Sequence, residues 1–137
     1  MSEFKLSTEL NEWRYKGSNF MVEICHWKNP NSFVFPIENI WNVYVYVYDN
    51  HPSFDLITSE SLFDYGSVVF PLHSGASYHK WMFDKNGKCI YKKIGSDYNH
   101  VWDEKYIGID KLEDAYQVVR DAKELFDFME SFNATKE

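Results

Sequence analysis

Trp41-Asn42-Val43-Tyr44-Val45-Tyr46-Val47-Tyr48 decides the fold. Successive side chains of an extended chain point to opposite faces, so this stretch sets Trp41, Val43, Val45 and Val47 on one side and Asn42, Tyr44, Tyr46 and Tyr48 on the other. The valines and the tryptophan suit a core. A stripe of tyrosines, apolar rings with polar tips, suits three places: under a helix, along a pocket, or against another subunit. The Tyr44, Tyr46 and Tyr48 face is therefore the expected contact of a homo-oligomer if the chain forms one.

Working outward, Phe20-Met21-Val22-Glu23-Ile24-Cys25-His26-Trp27 alternates in the same way and ends in the turn residues Lys28-Asn29-Pro30-Asn31, which predicts a second strand. Residues 1–19 mix charges with Phe4, Leu6, Leu10, Trp13 and Tyr15 and fit either a short helix or a peripheral lead-in strand. Phe33-Val34-Phe35 is a short apolar run closed by Pro36. Asp49-Asn50-His51-Pro52 reads as a turn, with His51 in a loop.

Downstream, Ser67-Val68-Val69-Phe70 reads as a strand ended by Pro71. Asp84-Lys85-Asn86-Gly87-Lys88 carries the Asn-Gly pair that accepts positive φ, so residues 78–94 are expected to form a hairpin. Asp110-Lys111-Leu112-Glu113 has the spacing of a capping box, with Asp110 as N-cap. Leu112, Ala115, Val119, Ala122, Phe126 and Met129 then recur every three or four residues, with Tyr116, Leu125 and Phe132 widening the stripe. The expectation is a helix from about residue 110 to 132, with a frayed tail over 133–137.

These elements add up to an α+β fold, a mostly antiparallel sheet of four to six strands packed against a long C-terminal amphipathic helix. At 137 residues the chain suits a single domain spanning 1–137. Aromatics make up 19% of it, so rings should fill much of the core. No run approaches the roughly 20 apolar residues that cross a bilayer, and Met1-Ser2-Glu3-Phe4-Lys5 lacks the basic and apolar regions of a signal peptide. A cytoplasmic protein without a membrane partner is expected. A net charge of −7 disfavours direct nucleic-acid binding, which relies on cationic contacts to phosphate. Cys25 and Cys89 read as two reduced thiols, since no C-x-x-C or Cys/His spacing marks a zinc site.

Most functional-looking side chains fall within 68–103. Small residues separate His73 from His79 in His73-Ser74-Gly75-Ala76-Ser77-Tyr78-His79, a composition that lets a backbone approach a ligand closely. In Gly95-Ser96-Asp97-Tyr98-Asn99-His100-Val101-Trp102-Asp103, His100 and Asp103 would share a face in one turn of helix. Three readings of that spacing stay open: a histidine and a carboxylate fixing a loop, a ligand-binding site, or a divalent metal site.

The order of these landmarks resembles a small-protein family frequent in phages and prophages. Its members carry a His-Gly-Gly-Leu/Ile-Thr-Tyr-like motif and a Gly-Phe-Asp-x-x-His-x-x-Asp-like motif. The matching positions are His51, Pro52, His73, Gly75, Tyr78, Gly95, Asp97, His100 and Asp103, over roughly residues 20–130. Ser74 replaces the second glycine and Ser96 the aromatic. The resemblance implies a phage or mobile-element origin, action in the host cytoplasm, an accessory rather than virion role, and a shared site near 73–103.

No Gly-x-Ser-x-Gly elbow, phosphate-binding loop, His-Glu-x-x-His or dinucleotide fingerprint is present, so the common catalytic frames are missing. The leading expectation is a binding protein without cofactor, whose partner is a host protein or a nucleotide-like small molecule. In a counter-defence role it would sequester a nucleotide signal or block a host defence protein. Its expected ligand-binding residues are His73, Gly75, Tyr78, Lys92, Asp97, Tyr98, His100 and Trp102, with Lys80 and Lys93 as further cations. The alternative is a metal-dependent phosphoester hydrolase in which His73, Asp97, His100 and Asp103 hold a divalent ion, with Asp97, His100 and Asp103 as its catalytic groups.

Overall fold

A computed structural model describes residues 10–29, 38–58, 70–73, 76–98 and 101–134, excepting the side chains of Leu10 and of 101–104. The expected run at 33–35, residues 67–69 of the expected 67–70 strand and residues 135–137 of the expected 133–137 tail lie outside the described residues. Among the described residues, five antiparallel strands form one sheet: β1 (Leu10–Lys16), β2 (Phe20–Asn29), β3 (Glu38–Tyr48), β4 (Tyr78–Phe83) and β5 (Cys89–Asp97). Their order is β1-β2-β3-β5-β4, so β5 returns between β3 and the edge strand β4. The α-helix α1 (Tyr116–Ala134) packs on one face, which makes the fold α+β.

Register fixes what each face carries. Val43, Val45 and Val47 stand opposite Ile24, Val22 and Phe20 in β2, and Val45 stands opposite Ile94 in β5. All of these are buried beneath α1, together with Trp41. The 84–88 turn is as expected: Gly87 sits at φ +83°, and Asp84 accepts from the backbone N–H groups of Asn86 and Lys88. The lead-in segment resolves, over 10–16, as the edge strand β1.

The helix corrects two readings. Asp110 is not its N-cap. Trp41 Nε1–H donates to the Ile109 carbonyl at 2.9 Å, and the chain stays extended through Lys111 (φ −128°, ψ 141°). A 3-10 turn at 112–114 follows, and Ala115, buried and non-helical, accepts the first helical bond from Val119 N–H. The apolar stripe is otherwise largely as expected: Ala122, Leu125 and Met129 are buried and Val119, Phe126 and Phe132 pack against the core, but Val118 joins them and Tyr116 is 78% exposed instead of widening the stripe. The helix also outlasts residue 132. Asn133 and Asn19 exchange two side-chain hydrogen bonds, at 2.8 and 3.1 Å, which tie the helix end to the β1–β2 turn.

A buried polar ladder closes the other end of the sheet. Asn39 Nδ2 donates to the Ile107 carbonyl, so its Oδ1 accepts from His26 Nε2–H at 2.9 Å. His26 Nδ1 is then free to accept from Asn11 Nδ2 at 3.1 Å.

His51 is a buried staple rather than an open loop residue. Its Nδ1 accepts the Ser53 backbone N–H at 3.0 Å, which places the proton on Nε2, and Nε2–H donates to the Met129 carbonyl at 3.0 Å. Burial holds its pKa below the ordinary histidine value, outweighing the Met129 carbonyl and Glu130, which favour the cation. The unfolded chain therefore takes up this proton first as pH falls. Stability from this group is complete above the unfolded pKa of about 6.5 and is lost at lower pH, at no more than about 1.4 kcal/mol per pH unit. Denaturation midpoints measured from pH 7.5 to 5 should fall, and His51→Gln should flatten that slope. An unchanged slope in the variant would remove His51 from the account.

Candidate functional site

Strand alternation places Tyr44, Tyr46 and Tyr48 on the face opposite α1, and register adds Tyr78 and Lys80 from β4 and Tyr91, Lys93, Gly95 and Asp97 from β5. The helix and the described 3-10 turns lie on the other side of the sheet. Gly95 shapes this face: without a Cβ, it lets the Tyr44 ring lie across β5. Tyr44 and Tyr78 then meet edge to face at 5.3 Å, and Tyr91 meets Tyr46 at 5.4 Å and Tyr48 at 6.4 Å.

Lys93 occupies the middle of this group. Its ammonium lies 4.2 Å from the Tyr44 ring centre, 4.9 Å from Tyr46 and 5.6 Å from Tyr78. Each such contact is worth about 0.5–1 kcal/mol at a partly exposed site, so the rings and the cation hold one another in place. Beside them, Glu23 is buried to 1% exposure and fully engaged: Arg14 Nε donates at 2.8 Å, the Tyr46 hydroxyl at 2.9 Å and the Cys25 thiol at 3.3 Å. Arg14 also bridges to Glu12 at 2.5 Å.

This environment keeps protons on. Burial, reinforced by Glu23, pushes the Cys25 thiol up to about 12, and burial pushes the Tyr44 phenol up to about 12. Tyr46 is raised for the same reason, with its bond to Glu23 adding to it. At neutral pH the resting form of Cys25 is therefore the thiol, which is a poor nucleophile. Among the described residues, Glu12, Glu23 and Cys25 bring ligand atoms within 4.8 Å of one another. Glu23 already accepts from three donors, so in this structure the trio serves as a hydrogen-bonded anchor for the tyrosine face.

A second cluster lies on the helix side. His73 stacks on Tyr98 at 4.2 Å, with Tyr106 edge-on to both. The Tyr98 hydroxyl donates to Asp121 Oδ2 at 2.5 Å, and Gln117 Nε2 donates to Oδ1 at 2.9 Å. The structure thus brings together His73 and Tyr98 on one side of the sheet and sets Tyr78 and Asp97 on the other. Asp97 shares the tyrosine face, while Tyr98, the next residue, is buried in the core. Lys92 also belongs to the core side: its ammonium donates to the Phe54 and Ile57 carbonyls, each at 2.8 Å, and lies over the Phe54 ring. Gly75 and His100 lie outside the described residues, as do the side chains of Trp102 and Asp103. Of the four hydrolase candidates, His73 and Asp97 are described, and they sit on opposite sides of the sheet.

Sequence reasoning missed Arg14, Glu23, Tyr91 and Asp121. The available signal was Glu23 itself, a carboxylate inside an otherwise apolar strand, which demands a donor from a neighbouring strand. Register supplies Arg14 directly opposite it. Comparison of the chain with protein-family models, curated proteins and solved structures gives no match in any of the three.

Proposed function

We propose that the protein is a non-catalytic accessory binding protein of phage or mobile-element origin, whose tyrosine face covers part of a host protein. One observation carries this reading: a lysine set among three tyrosine rings on a sheet face that no described helix covers. Tyrosine offers a large, two-torsion, amphipathic contact at low entropic cost, and such residues dominate binding hot spots.

The charge of the face supports a protein partner over a nucleotide. Arg14, Lys16, Lys80 and Lys93 are balanced by Glu12, Glu23, Glu38 and Asp97, so this side is close to neutral in a chain of net charge −7. A base stacked on Tyr78 would leave its phosphates to Lys80 and Lys93, since Lys92 is committed to carbonyls across the sheet. A neutral aromatic surface asks for less cationic help against another protein. The phage origin and the counter-defence role rest on the motif resemblance.

The test is capture from bacterial lysate with three baits: wild type, Tyr78→Ala on the face, and Tyr116→Ala on the exposed side of α1. A protein retained by wild type and Tyr116→Ala but lost with Tyr78→Ala is the expected result. Equal retention by all three, or a nucleotide-sized mass bound to wild type with no protein captured, would contradict the proposal.

A further inference from the structure

We infer that β1 is a self-pairing edge, through which two copies of this chain join their sheets about a two-fold axis centred on Trp13. Among the described residues no strand pairs with the outer side of β1. The direction of its peptide groups follows from the β1–β2 turn. Gly17 N–H donates to the Phe20 carbonyl at 2.9 Å, so hydrogen-bonded pairs recur at every second residue back along the ladder: Tyr15–Val22, Trp13–Ile24 and Asn11–His26. The N–H and C=O groups of Leu10, Glu12, Arg14 and Lys16 therefore point outward.

An antiparallel partner must place outward-pointing residues opposite one another. Centring the axis on Trp13 does so: Glu12 faces Arg14 of the second copy, and Arg14 faces its Glu12. Both are hydrogen-bonded pairs, and both lie on the tyrosine face. Opposite charges directly across a ladder stabilise it, and like charges destabilise it. Centring on Glu12 sets Glu12 against itself, and centring on Arg14 sets Arg14 against itself although it also pairs Glu12 with Lys16; of the three registers, only Trp13 gives opposite-charge pairs with no like-charge pair.

The helix side agrees. α1 packs on β2 and β3, leaving beside β1 a cavity of about 350 Å³ lined by Tyr15, Val119, Ala122, Lys123, Phe126 and Asp127. A two-fold perpendicular to the sheet keeps both helices on one side and brings the two open grooves together at the seam. The other edge differs: β4 carries a register irregularity between Met82 and Phe83, which interrupts a regular ladder. This dimer does not depend on the proposed function, because it leaves the tyrosine face continuous across the seam.

The experiment is native mass spectrometry with sedimentation equilibrium on the full chain and on Glu12→Lys and Glu12→Pro. Wild type should run at twice the chain mass of 16.4 kDa. Glu12→Lys puts two cations opposite each other and should weaken the dimer at least about tenfold, some 1.4 kcal/mol. Glu12→Pro removes an outward N–H without breaking a β1–β2 bond and should give monomer; if it fails to fold, Glu12→Lys alone decides. A wild-type monomer at high micromolar concentration would overturn the inference. So would a folded variant that dimerises as tightly as wild type, which would move the interface elsewhere.

Discussion

Trp41→Ala should lower stability by about 3–5 kcal/mol, the range for deleting a large buried aromatic ring, against the 5–15 kcal/mol that holds an ordinary domain. Trp41 is fully buried and connects three parts of the fold. Its ring stacks on Trp13 of the edge strand at 6.0 Å and lies 4.4 Å from His26, and its indole N–H is the donor that holds the Ile109 carbonyl. Alanine leaves a cavity beneath β1 and strands that carbonyl, so the approach to α1 loosens together with the core. Trp41→Phe keeps most of the volume but not the donor and should fall between. Urea denaturation followed by circular dichroism measures both. A loss under about 1 kcal/mol for Trp41→Ala would mean that the 105–115 segment is held by something else.

Gly95→Ala is expected to cost about 1–3 kcal/mol, the usual range for overpacking, from the addition of one methyl group. The new Cβ would collide with the Tyr44 ring and lie 2.7 Å from the Val43 carbonyl oxygen. The ring can swing away, but the carbonyl cannot, because Gly95 is paired with Tyr44 on one side and Tyr78 on the other. Relief therefore requires distortion of the central ladder. The variant should melt at lower temperature and lose the ring-current shifts that Tyr44 and Tyr78 impose on the Lys93 side chain in NMR spectra. Wild-type stability with unchanged Lys93 shifts would show that Tyr44 does not lie over β5. This close approach also gives a physical reason for glycine at position 95.

Local chemistry made much of the fold legible. The valine and tyrosine alternation of 41–48 has one sensible reading, and Asn86-Gly87 names its own turn. β1 was ambiguous because its charges, Glu12, Arg14 and Lys16, lie on one strand face yet also suit a helix surface. The helix start is not legible locally, because Asp110 and Glu113 have capping-box spacing, while a tertiary bond from Trp41 to Ile109, 68 residues apart, holds the chain extended there.

The site was harder to see because neighbours in sequence are not neighbours on a sheet. Lys92 and Lys93 look like one cationic patch and point to opposite faces, and Asp97 and Tyr98 part in the same way. Tyr44 and Tyr78 are 34 positions apart but touch, and Arg14 reaches Glu23 only through the β1–β2 register. A reading organised by proximity along 68–103 therefore merged two groups that the sheet keeps apart.

The most direct measurement is the dissociation constant of the captured host protein for wild type, Tyr78→Ala and Tyr116→Ala by isothermal titration calorimetry. The account predicts at least a tenfold loss for Tyr78→Ala, about 1.4 kcal/mol or more, and no change for the far more exposed Tyr116→Ala. A loss confined to Tyr116→Ala would place the binding surface on the helix and contradict the tyrosine face.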